Sequence, residues 1–134
     1  MRYVLVLCCA AVLGLMAYTS PAAGHHSFAA EFDRNKPITL TGRVSKVEWT
    51  NPHAFFYVDV KDAKTNEVVN WAAELNSPNY MMRLGWNRDS MKVDDIVTVQ
   101  GSLAKDGSKL LNAQSVVLTN SGKRIFTVPA EGSQ

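Results

Sequence analysis

The apolar pattern between Ile38 and Trp49 changes phase partway along. Ile38, Leu40, Gly42 and Val44 occupy one set of alternate positions, and Val47 and Trp49 occupy the other. Successive side chains of a strand point to opposite faces, so an uninterrupted strand cannot bury both sets on the same side. The sequence therefore predicts a β-bulge near Ser45-Lys46, where one extra residue restores the phase and bends the strand sharply. A long bent strand, running from about Ile38 to Thr50, can serve both halves of a small closed barrel.

The residues that follow fit such a barrel. Asn51-Pro52 is a turn dipeptide, because the proline ring biases Asn51 away from the helical region. A second strand, His53 to Lys61, buries Ala54, Phe56, Val58 and Val60 and turns Phe55, Tyr57 and Asp59 outward. A polar hairpin loop over 61–66 leads to a third strand, Glu67 to Leu75, with Val69, Trp71, Ala73 and Leu75 on one face. One helix is well marked: Ser77 as N-cap, Pro78 at the first helical position, Tyr80, Met81 and Leu84 as its apolar face, and Gly85 as its stop. Trp86 stands where a hydrophobic residue often folds back on the last turn. Strands over Asp95–Ala104 and Lys109–Thr119 follow, with a short terminal strand over Lys123–Val128. Three strands, a helix and two strands, with the first strand long and bent, is the order of a five-stranded OB-fold barrel.

The start of the chain reads as a secretory signal. Arg2 precedes an apolar run from Val4 to Ala17, and small residues follow it. Cleavage after Ala22 places Ser20 at −3; cleavage after Gly24 places Ala22 there. The expected organisation is a signal peptide over 1–24, an N-terminal arm over 25–37, a barrel over 38–128 and a disordered tail over 129–134. Cys8 and Cys9 leave with the signal, so the mature domain has no disulfide, no redox motif and no thiolate ligand. Loss of Arg2 brings basic and acidic residues within one of each other, which argues against a nucleic-acid partner. No second apolar run is present, hence no membrane span is expected after cleavage.

Several motifs occur together: His25-His26-Ser27-Phe28-Ala29-Ala30-Glu31-Phe32-Asp33, Glu48-Trp49 with Asn51-Pro52-His53, Gly85-Trp86, and Lys105-Asp106-Gly107-Ser108. In these the chain resembles a family of small exported bacterial proteins known only as a domain of unknown function. The resemblance spans nearly the whole mature domain. It implies a periplasmic or secreted barrel-like domain with no established activity, in which the His-His pair directly follows the cleavage site. Asp94 departs from the pattern, which has glycine there; Asp tolerates the left-handed conformation better than most residues.

All three histidines fall in these motifs: His25 and His26 at the mature start, His53 at the first turn. Clustered imidazoles without thiols suit Cu(II), Zn(II) or Ni(II). Cleavage after Gly24 would let the amine and ring of His25 chelate together, with His53 completing a T-shaped copper site. Cleavage after Ala22 or Ala23 would put a histidine third, offering amine, two amides and imidazole in a plane. The plainer possibility is a frayed arm and a turn-capping His53. Phe55 and Tyr57 form an alternative ligand face for an oligosaccharide or peptide on the outside of strands 2 and 3. Glu48 and Glu74 are candidate acids near that face, but no spacing pairs them. Trp49, Trp71, Trp86 and Met81 read as core. The sequence reading is an exported binding domain rather than an enzyme. Its ligand is a transition metal, copper foremost, held by His25, His26 and His53.

Overall fold

The computed structural model describes residues 27–119, 122 and 124–127. The signal segment, His25, His26 and the tail from Pro129 lie outside the described residues. The elements are α1 (Phe28–Glu31), β1 (Phe32–Glu48), β2 (Phe55–Lys61), β3 (Val68–Glu74), α2 (Pro78–Arg83), β4 (Ile96–Ala104), β5 (Leu110–Leu118) and β6 (Arg124–Thr127). The sheet runs β3-β2-β1-β4-β5-β6, and a parallel pairing of β3 with β5 closes the first five strands into a ring. This is the OB-fold arrangement, with β6 added to β5 outside the ring.

The bulge lies where the phase change requires it. Val44 pairs with Val58, and the next paired residue, Lys46, faces Tyr57, so Ser45 is the extra residue. Val44 is fully buried and Val47 packs against the core, although three positions separate them. β1 begins six residues before Ile38, inside the stretch read as an arm. Phe32 and Asp33 pair with Ala104 and Leu103, and the ladder then breaks until Pro37 meets Ser102. Proline is tolerated beside such an irregularity, so Lys36-Pro37 interrupts the strand without starting it. Lys105 fastens α1 from the other side: its N–H donates to the Glu31 carbonyl at 2.8 Å and its Nζ to the Ala29 carbonyl at 2.6 Å.

The interior is filled by Val44, Phe56, Val58, Val97, Val99, Leu111 and Val116, all without exposed surface. α2 supplies Met81, and Trp86 and Met91 follow it into the same cluster. The caps of α2 are those its sequence announces. Ser77 Oγ accepts from the Tyr80 N–H at 3.3 Å. Gly85, at φ +84°, and Trp86 donate their N–H groups to the carbonyls of Met82 and Met81, a Schellman ending. Leu84, expected on the apolar face of the helix, is exposed instead, because the helix ends at Arg83 and Leu84 leaves as its C-cap. Asp94 adopts φ +76°, the conformation expected of a glycine substitute, and its N–H donates to the Val44 carbonyl.

Candidate functional site

Cross-strand partners share a face, so the pairings of β1, β2 and β3 define three outward rungs. They are Arg43–Asp59–Asn70, Lys46–Tyr57–Ala72 and Glu48–Phe55–Glu74. On the first rung Asn70 Nδ2 donates to Asp59 Oδ1 at 2.7 Å and to Ser45 Oγ at 3.0 Å, which ties the bulge residue to β3. On the second and third rungs a cluster forms around Glu48. Lys46 Nζ forms an ion pair with its carboxylate, and the Tyr57 hydroxyl donates to Oε2 at 2.9 Å. Lys46 first, and the Tyr57 hydroxyl second, hold the Glu48 carboxyl below the usual carboxylate range. The same carboxylate, aided by burial, pushes the Tyr57 phenol up.

The end of the third rung carries the histidine. The turn between β1 and β2 contains a cis Asn51–Pro52 peptide and ends at Ala54, which is fully buried. Ala54 prolongs the β2–β3 ladder: its N–H donates to the Asn76 carbonyl at 3.1 Å, and its carbonyl accepts from Leu75 at 2.8 Å. His53, one residue before, is therefore held beside the last residue of β3, and its Nδ1 meets Glu74 Oε1. The Glu74 side chain is 7% exposed and that of His53 is 41% exposed, so the carboxylate lies inside and the ring outside. Glu74 sits where the ring closes, paired with Phe55 of β2 on one side and Asn112 of β5 on the other. A carboxylate oxygen accepts hydrogen bonds, and an imidazole Nδ1 that carries its proton can donate one.

A histidine backed by a carboxylate is suited to ligate a metal through its outer nitrogen. Among the described residues no group of three or more His, Cys, Asp or Glu side chains forms a metal-holding cluster. His25 and His26, the other two candidate ligands, lie outside the described residues. Phe55 and Tyr57 are on the outer face and half-buried; Lys46 Nζ lies 5.2 Å from the centroid of the Tyr57 ring. Trp86 is buried in the core, and Trp49 and Trp71 pack against it. Sequence reasoning named Glu48 and Glu74 without their partners. Their signal was the hairpin register, which sets Phe55 opposite Glu74 and so brings His53 to that rung.

The barrel is similar in fold to the mitochondrial single-stranded DNA binding protein Rim1 of S. cerevisiae. The TM-score is 0.50 at 9% identity, covering 63% of this chain and 93% of the other. A ZRD-deleted mutant of TiaS in complex with agmatine aligns with a TM-score of 0.45 at 22% identity, over 76% of this chain and 24% of that one. No curated protein matches the sequence. Ring, helix and outer face define a domain of the OB-fold-like class. Within it, the model of DUF6152, a family of unknown function, matches residues 12–112, and the chain belongs to that family.

Proposed function

We propose that this is an exported binding domain, not an enzyme, that holds a transition metal ion through His53 together with His25 and His26. Cu(II) is the foremost candidate. The observation that carries the reading is the contact of His53 Nδ1 with the buried Glu74 carboxylate, which leaves Nε2 as the ligating nitrogen. The anchoring of α1 is compatible with it. α1 is fastened to Lys105, three residues beyond Ser102, and Ser102 shares a rung with Asn112, which pairs with Glu74. Strand rise and strand spacing put that anchor on the order of 15 Å from Glu74, a distance that a few residues and their side chains can cover.

Titration calorimetry of the processed protein with Cu(II) tests the reading. His53→Ala should weaken binding by roughly tenfold or more, since loss of even an indirect metal partner costs 10–100-fold. Equal affinity in parent and variant would reduce the site to a chelate made by the N-terminus alone. An oligosaccharide or peptide at Phe55 and Tyr57 has less support, because Lys46 lies over the Tyr57 ring and the Tyr57 hydroxyl is engaged by Glu48.

A further inference from the structure

We infer that Glu74 is the positioning residue of this site: its buried carboxylate holds the Nδ1–H of His53 so that the ring presents Nε2 to a borderline divalent cation such as Cu(II) or Zn(II). The inference rests on the reading of His53 as a ligand.

Four observations lead to it. First, burying a carboxylate is costly, and such groups persist where a specific partner compensates them. Glu74 is 5% exposed, although Asn70 and Ala72, the residues in its phase on β3, are uncharged. Second, the position is rigid. β3 pairs on both sides at Glu74, with Phe55 and with Asn112, and the ladder continues past it through the hydrogen bonds of Ala54. Both ends of the His53–Glu74 contact are thus carried by pinned backbone, the condition for holding a ring in one orientation. Third, the pair is graded from inside to outside: the Glu74 side chain is almost fully buried, and that of His53 is partly open to solvent. Fourth, the donors are nitrogen backed by carboxylate, with no thiolate, a set that favours borderline divalent ions over soft Cu(I).

The test separates this inference from the reading beneath it. In metal-free protein at about pH 8, above the ordinary imidazole range, ring 15N correlations should show His53 as the Nδ1–H tautomer. Glu74→Ala should abolish that preference. Glu74→Gln should weaken Cu(II) binding by about 10–100-fold while the variant still melts cooperatively. An Nε2–H tautomer in the parent would overturn the inference, with no variant needed. Copper affinity lost in His53→Ala but unchanged in folded Glu74→Gln would overturn it while leaving the metal reading in place. A parent with the Nδ1–H tautomer and no affinity for copper would overturn both, leaving a purely structural His–Glu pair.

Discussion

Glu48 interacts with Lys46 and Tyr57 at once, and the electrostatic consequence has a definite sign. Its folded pKa is depressed, so its stabilising contribution is fully present above the ordinary carboxylate range and is lost as pH falls through the lower folded value. A carboxyl-detected NMR titration should place its midpoint below the ordinary 4.5. Lys46→Ala should move the midpoint up, and Tyr57→Phe should move it up by less, following the order of the two causes. Glu48→Gln should flatten the acid limb of the stability profile; an unchanged limb would mean that the cluster dissolves in solution. In the proposed site His53 differs in kind, because its role would lie in orientation: a contact with a buried acceptor would select which nitrogen faces a ligand.

At the scale of elements, two strands and a helix end have little tolerance. At Gly101, where the β4–β5 register slips, a Cβ would lie 2.1 Å from the Asn112 carbonyl oxygen, which belongs to the neighbouring strand's backbone. Gly101→Ala should therefore cost about 1–3 kcal/mol, the range for overpacking, seen as a lowered denaturant midpoint. A neutral result would show that the two strands can part there. Around α2 the expected costs are smaller and of different origin. Ser77→Ala removes the acceptor for the Tyr80 N–H and should cost about 1 kcal/mol. Gly85→Ala meets no neighbouring atom but forces a side chain into φ +84°, which should cost about 1–2 kcal/mol. Chemical denaturation of both variants should show lower midpoints with unchanged slopes; a changed slope would indicate an altered unfolded or native state instead.

For the molecule as a whole, the proposed metal would tie His25 and His26 to the end of the β2–β3 hairpin that carries His53 and Glu74. Any ion bound only by the folded state stabilises it by mass action, by about 2.7 kcal/mol at a free concentration one hundred times Kd. Cu(II) should therefore raise the melting temperature of the processed protein and leave that of His53→Ala much less changed. The shift should weaken on acidification, as protons compete with the metal for its nitrogen donors. A parent whose melting is indifferent to copper at neutral pH would contradict the metal reading.

Much of this architecture is readable in the chain because it is set locally. The phase change between Val44 and Val47 demands a bulge, since a pleated strand has no other way to turn both valines inward. Ser77, Pro78 and Gly85 bound α2 through hydrogen bonds and torsions of their near neighbours. Asp94 accepts a glycine-like φ for the same kind of reason. The first turn of β1 was less legible, because its pairing with Ala104 and Leu103 overrides the break suggested by Lys36-Pro37. Nor does alternation say which strand lies beside which. The closing contact of Ala72 with Leu110, and the meeting of His53 with Glu74, join residues far apart in the chain. The sequence by itself determined the bulge, the caps, the strand order along the chain and the three histidines. Only the tertiary structure decided that β3 meets β5, that Glu74 is thereby buried, and that His53 lies against it, because those outcomes depend on packing between distant segments that no local pattern encodes.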